Sequence, residues 1–281
     1  MAAVETERNG QVLIVRMNRP ERLNALNAEM RQLLAETWTD FRQAQELEVA
    51  ILTGTGRGFC AGEDMKESLA AGKPGGSRLS IADPFRDGTL EKPVIAAVNG
   101  FAMGGGFMLV EACDLRVAVP EAVFEVSEAK RWLLGGYDHG HLANLPFPIA
   151  MEMALGFRFT AERFYQLGFL NRLAPESQLI AAALAMAEHL LALPPASRVN
   201  TVHMMRQMRP APSQAHKSLA ARLHEHGDKR DLMESRAAFS EKRKPQFRGW
   251  LDPADRYRLP HLAQVSRRAR RVPQKSEAQS D

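Results

Sequence analysis

PVIAAVNGFAMGGGFMLVEACD, residues 93–114, decides how the rest of the chain is read. Entered through Pro93, Val94 to Val98 is a short β-branched and alanine-rich run, the pattern of a strand buried on both faces. Asn99-Gly100 breaks it. Gly104-Gly105-Gly106 then opens a second apolar run, Phe107 to Ala112, which reads as a helix. Three glycines at a helix start leave backbone N–H groups without intrahelical partners and without side chains to shield them. Such a start can hold developing negative charge, helped by the positive end of the helix dipole. A glycine cluster equally serves the close packing of two backbones. Chemistry here needs a second donor and an acid or base.

Outward from this stretch the chain alternates. Gln11 to Met17 alternates apolar and polar residues as a strand does, and Pro20 ends it. Asn27 caps an expected helix through about Gln43, with Met30, Leu33, Leu34, Trp38 and Phe41 at helical spacing. Val49 to Thr53 is a second buried strand, followed by the loop GTGRGFCAGEDMKES. Residues 71–91, rich in Gly, Pro, Ser and charge, read as a mobile connector, and a strand is expected at Leu115 to Ala118. Strands alternating with helices argue for a layered α/β fold. From Leu142 on the pattern is helical: Ala150–Leu155, Ala161–Leu167 after the cap Thr160, Glu176–Leu193, Ser197–Met208, and one long stretch from about Ser213 to Lys242. The expected organisation is an α/β core over residues 1–200, a helical oligomerisation region over 201–260 and a basic, disordered tail over 261–281.

Composition narrows the function classes. A chain of 281 residues, 45% hydrophobic, can bury a large core. Its net charge of +4 is uneven: the segment from Ser266 carries five Lys/Arg against two acids, leaving the body near neutral. Phosphate tracking needs a basic face, so no nucleic-acid partner is expected for the body. Cys60 and Cys113 lie in apolar surroundings, which fits a reducing cytoplasm better than a disulfide scaffold. MAAVETERNG reads as no signal peptide. Residues 93–110 lack charge, but Pro93, Asn99 and the glycines make them a poor membrane span, and no membrane partner is expected.

The second donor is expected in Gly58-Phe59-Cys60-Ala61-Gly62-Glu63-Asp64-Met65-Lys66-Glu67. This loop follows the strand Val49–Thr53 and so projects from the same sheet edge as the glycine helix. Two glycine-bearing turns on adjacent strands can aim two N–H groups at one oxygen, the arrangement that stabilises an enolate or a tetrahedral oxyanion.

FCAGEDMKE, KPVIAAVNGFAMGGG, CDLRVA, AVFEVSE and AFSEKRKPQFRG, in this order, resemble the crotonase (enoyl-CoA hydratase/isomerase) superfamily over roughly residues 8–250. The resemblance implies a ββα spiral core with a C-terminal helical trimerisation region, and a homotrimer or dimer of trimers. It implies acyl-CoA thioester substrates, coenzyme A being part of the substrate, with no separate cofactor and no metal. Carried over by position, the thioester carbonyl is held by the N–H groups of Glu63 and Gly105, with Ala61 lining the same turn. Family hydratases carry two glutamates; here the first position is Met108 and the second is Glu128. One carboxylate leaves the two-glutamate water addition incomplete. It suffices to move a proton between carbons, as in the family's isomerases, or to act alone, as in its hydroxycinnamoyl-CoA hydratase-lyases. A crotonase-fold protein that binds acyl-CoA without turnover is the alternative of a different class, and a surface pair with Lys130 or Arg131 is the plain reading of Glu128.

The family's Gly/Pro-rich turn is replaced here by Arg131-Trp132-Leu133-Leu134-Gly135-Gly136-Tyr137-Asp138-His139-Gly140-His141. Tyr137, Asp138 and His139 are therefore expected in the pocket wall. In the related 4-chlorobenzoyl-CoA dehalogenases a loop aspartate in this region is the nucleophile; a loop turn held by a hydrogen bond is the plainer reading. For the CoA moiety the resemblance points to Arg22, Lys66 and Lys242, the last reaching a neighbouring subunit's ligand.

Overall fold

A computed structural model describes residues 2–72, 82–132, 134 and 136–262, with the backbone alone at His141 and Leu142. The part of the 71–91 connector from 73 to 81, and the tail beyond 262, lie outside the described residues. Ten strands run in chain order as β1 (Val4–Asn9), β2 (Val12–Met17), β3 (Val49–Gly54), β4 (Gly58–Cys60), β5 (Val94–Val98), β6 (Phe101–Met103), β7 (Leu115–Ala118), β8 (Val123–Glu125), β9 (Arg158–Thr160) and β10 (Arg172–Leu173). The helices are α1 (Ala28–Gln43), α2 (Met65–Ala70), α3 (Gly105–Ala112), α4 (His139–Leu142), α5 (Phe147–Ala154), α6 (Ala161–Gln166), α7 (Leu179–Leu191), α8 (Pro195–Gln207), α9 (Gln214–His224) and α10 (Arg230–Ser240).

Two sheets form. One has the order β1-β2-β3-β5-β7-β10, the other β4-β6-β8-β9. All pairings are parallel except β1 with β2 and β8 with β9. The chain climbs by repetition: β3 of the first sheet leads into β4 of the second, β5 into β6, and β7 into β8. Every residue of β3 and β5 is buried, as continuous apolar runs without alternation require. This is the crotonase-type α/β fold.

The steps between sheets are tied by side-chain amides. Asn99 Oδ1 accepts from Gly54 N at 3.1 Å, and its Nδ2 donates to Gly56 O at 2.6 Å. Asn24, fully buried, donates to Thr55 O at 3.0 Å and Gly58 O at 2.7 Å. Beneath α3 lies an aromatic cluster. Phe107 stacks on Phe169 at 5.4 Å, and Phe159 stacks on Phe164 at 4.6 Å. Phe124 of β8 lies 5.1 Å from Phe164. Stiff side chains at these distances fix α3, the second sheet and α6 to one another.

Three elements differ from their sequence reading. The N-terminal residues form β1, a polar edge strand whose first residue alone is buried; its lack of an apolar run hid it. The long helix expected from Ser213 to Lys242 is two helices, because Gly227 takes φ +128° and Asp228 N donates to Gly249 O at 2.8 Å. The glycine helix begins at Gly105, two residues before its apolar run. Among the described residues no single helix is long and apolar enough to cross a membrane. Cys60 and Cys113 are free and buried, and burial pushes the Cys60 thiol up to about 12.

The closest backbone approach is at Gly106, where an added Cβ would stand 2.1 Å from Cys60 O. Gly106→Ala is therefore expected to cost about 1–3 kcal/mol or more by overpacking. A urea unfolding midpoint unchanged from that of the parent protein would show that the two turns yield freely.

Candidate active site

The first turn is built by stitching. After β4, Ala61 N donates to Leu23 O at 2.9 Å, Leu26 N to Gly62 O at 2.7 Å, and Asp64 N to Leu26 O at 3.2 Å. Leu26 and Glu63 thus form a parallel bridge that draws the turn out straight. Asp64 ends it: its Oδ1 accepts from Lys66 N and Glu67 N at the start of α2, and its Oδ2 pairs with Arg19 at 3.0 Å. The Glu63 carboxylate is held by the fully buried Arg236 at 2.9 Å and by Ser68 Oγ. Both ends of residue 63 are therefore fixed, and its peptide with them.

The second turn is Gly104, at φ +49°, followed by the first residue of α3, Gly105. Gly104 N donates to Glu125 O at 2.8 Å. The turns abut: a Cβ on Gly62 would lie 2.5 Å from Met103 O and 3.2 Å from Gly105 N. A Cβ on Gly105 would lie 3.8 Å from Gly62 Cα. Glycine alone permits this approach. As the first residue of α3, Gly105 has no acceptor one turn back, and its N–H sits at the positive end of the helix dipole.

Glu128 stands beside the second turn. The Cβ position of Gly104 is 3.9 Å from Glu128 Oε1. The residue is only 7% exposed, and its Oε2 is buried without a hydrogen-bond partner. The surface-pair reading fails for Lys130, whose amine goes to Glu125 at 2.9 Å. Arg131 lies 4.7 Å over the Phe239 ring. Burial raises the Glu128 carboxyl above the usual carboxylate range, the charges of Asp138 and Glu111 push the same way, and His139 partly offsets them.

Two cavities meet here, and Glu63, Gly105 and Glu128 line both. One, of about 590 Å³, is walled by Arg22, Ala61, Lys66, Arg131, Arg158 and Phe239 among others, so basic groups border it despite the acids Glu21, Asp64 and Glu125. The other, of about 530 Å³, is walled by Leu26, Leu34, Trp38, Met108 and Leu109, with Arg31, Asp83, Arg86 and His224 also present. The expected residues Arg22, Ala61, Lys66 and Met108 therefore stand on the walls beside Glu63, Gly105 and Glu128.

The 137–139 expectation needs correction. Neither cavity counts Tyr137, Asp138 or His139 among its walls. Tyr137 is 41% exposed, and Asp138 is half-buried. His139 is turned inward: its Nδ1 is 2.5 Å from Glu111 Oε2, and its ring meets Phe107 edge-on at 5.8 Å. A buried carboxylate on α3 is the physical reason, because it draws the imidazole away from solvent. Lys242 follows α10, exposed and at φ +56°, off both cavity walls. The helix before it packs on α2 of its own chain, and Phe239 lines that chain's own cleft.

Two residues escaped the sequence reading. Arg236 looks like one charge among many on a polar helix, and nothing local marks it as buried. Glu111 had a signal: it is the one acid in the apolar run Phe107 to Ala112. Among the described residues no cluster of three or more His, Cys, Asp and Glu is placed to hold a metal ion.

Residues 7–250 match the family described as enoyl-CoA hydratase/isomerase. The chain is 33% identical to enoyl-CoA hydratase EchA19 of Mycobacterium tuberculosis, an alignment covering 88% of this chain and 99% of that protein. It is 34% identical to (E)-benzylidenesuccinyl-CoA hydratase of Thauera aromatica, with the same coverage of each. Among solved structures, carnitinyl-CoA hydratase from Mycobacterium avium superposes with a TM-score of 0.73 at 29% identity, over 88% of this chain and 99% of that one. Matches of this extent mark an acyl-CoA enzyme of the enoyl-CoA hydratase type: the chain belongs to the enoyl-CoA hydratase/isomerase family.

Proposed function

We propose that the chain adds water across, or moves, the double bond of an enoyl-CoA thioester, with a main-chain oxyanion hole and Glu128 as the single acid/base. The observation that carries this reading is the meeting of two abutting glycine turns and one buried, unpartnered carboxylate at the junction of two cavities. The thioester oxygen accepts from Glu63 N–H and Gly105 N–H, and charge that develops there is held without reorganisation. Each such donor contributes about 2.7–4 kcal/mol to the barrier reduction. Arg22 and Lys66 take the phosphates of the CoA moiety at the mouth of the basic cleft, and the acyl group enters the cavity of Leu34, Trp38 and Met108.

Glu128 does the proton work. For hydration it takes a proton from the attacking water as oxygen bonds to the β-carbon, then returns that proton to the α-carbon of the enolate. Met108 favours a second reading, double-bond isomerisation, in which the same carboxylate carries a proton from one carbon to another and no water is needed. Crotonyl-CoA, a 3-enoyl-CoA and an aromatic enoyl-CoA separate the two, since hydration removes the conjugated enoyl thioester and isomerisation of a 3-enoyl chain creates it. Binding of all three esters with turnover of none would leave the acyl-CoA-binding homologue as the reading.

Large apolar side chains are exposed along α5 and just after it (Phe147, Met151, Leu155, Phe157) and on α8 (Met204, Met205, Met208 at its end). Surface of this kind supports self-association, and the trimer or dimer of trimers is the assembly proposed.

Glu128→Gln should lower kcat by about 10²–10⁴-fold while leaving acyl-CoA affinity in place; full turnover by that variant would remove Glu128 from the chemistry. Because Glu128 must be ionised to take a proton and its proton affinity is raised, the acid limb of kcat against pH should fall above the ordinary glutamate value of 4.5. Lys66→Ala and Arg22→Ala should each raise KM for acyl-CoA at low salt and flatten its rise with ionic strength. Light scattering should return a particle mass that is a multiple of three chains of 31.2 kDa; a monomer would contradict the proposed assembly.

A further inference from the structure

The mechanism above leaves one buried ionisable pair unused. Glu111 and His139 face each other at 2.5 Å, each side chain only 8% exposed. Glu111 sits on α3 one turn beyond Phe107 and Met108, and its second oxygen, Oε1, is buried without a partner. The segment from Glu128 to His139 touches α3 at both ends. Its first residue lies against Gly104, the cap of α3, and its last is bonded to Glu111 and packed on Phe107. Between them Gly136, at φ +90°, presses on Val126, where an added Cβ would stand 2.7 Å from Cγ1.

We propose that Glu111 and His139 form a positioning pair for Glu128: their bond clamps His139 to α3, the helix whose cap Glu128 touches, and keeps an imidazolium within electrostatic reach of the Glu128 carboxylate. An ionised carboxylate so deeply buried is tolerated only with a proton donor opposite it. The 2.5 Å contact assigns the Nδ1 proton of His139 to the bond with Glu111 Oε2. Burial alone would push the imidazole down, but the hydrogen bond to Glu111, with the charges of Glu111, Glu128 and Asp138, lifts it above an ordinary histidine.

The other charges around Glu128 are already matched. Glu63 is held by Arg236 across the cleft, and Glu125 by Lys130 and Arg158. Arg131 is stacked on Phe239, and Asp138 adds a negative charge that His139 offsets. Removing the imidazolium thus leaves Glu128 with burial and two acids against its ionised form, and only a hydrogen bond from its own backbone in favour of it. Its proton affinity must rise.

This inference rests on the reading of Glu128 as the proton carrier, and it is tested on Glu128 directly. In protein labelled with carboxyl-¹³C glutamate, the Glu128 signal is assigned by its loss in Glu128→Gln and followed against pH by NMR. His139→Gln should move its midpoint upward by about one unit, a tenfold gain in proton affinity, and Glu111→Gln should move it the same way by less, because it also removes an acid. The double variant should move it no further than the larger single shift, and Glu111→Asp should restore it. With crotonyl-CoA or whichever panel ester is turned over, the acid limb of kcat should shift by the same amount with KM unchanged. A midpoint that stays put in folded variants overturns the pairing while leaving Glu128 in its role. A moved midpoint with no turnover on the panel supports the pairing and removes the activity reading. Should the variants fail to fold, ¹⁵N NMR of the parent protein decides: a His139 ring neutral at pH 7 overturns the proposal, and a cationic one supports it.

Discussion

The active-site geometry depends on one contact between two stretches of backbone. The carbonyl of Cys60 lies so near Gly106 that a methyl group would stand 2.1 Å from it, and Gly62 approaches Met103 and Gly105 almost as tightly. Because the main chains themselves touch, the placement of one turn against the other is set by backbone geometry and not by side-chain rotamers. The Glu63 side chain, at the end of the first turn, anchors α10 through its ion pair with Arg236.

Rigidity beyond the contact comes from both sides. The interlocked phenylalanines 107, 124, 159, 164 and 169 bind α3 to the second sheet from beneath. From above, α10 packs on α2 and on the turn after Glu128, and Asp231 accepts from Arg248 N at 2.8 Å and Gly249 N at 2.8 Å to bring the chain back over it. The helical C-terminal part therefore packs directly on the elements that carry the site. Its buried Arg236 is as much a part of the first turn as the glycines are.

Local chemistry was legible in the sequence; long-range pairing was not. The buried strands Val49–Gly54 and Val94–Val98, the Asn27 and Thr160 caps and the glycine helix all have causes within a few residues, and all are found. The resemblance of ordered motifs supplied the fold, and Glu63, Gly105, Glu128, Met108, Arg22 and Lys66 do share the cavity walls. What failed was decided at a distance. The break between α9 and α10 depends on Gly249 reaching back to Asp228. His139 left the expected pocket wall because Glu111, 28 residues away, takes its Nδ1. Arg236 finds Glu63 across 173 residues. No window of sequence contains such pairs, although an acid inside an apolar run was a sign that some partner had to exist.

A single proton carrier, as proposed, also constrains stereochemistry. Glu128 is buried and backed by Gly104, so as the proposed proton carrier it reaches an enolate from one side only. In a site with two carboxylates the like charges raise each other's proton affinity, and one can hold the proton the other lacks. Met108 removes that neighbour from the cavity wall, and the acid on the same helix, Glu111, is one turn further along and bonded to a histidine. The proton leaving the substrate or water must then return from the group that took it, through the same opening. In the mechanism proposed above, addition or transfer is thereby confined to one face of the acyl chain.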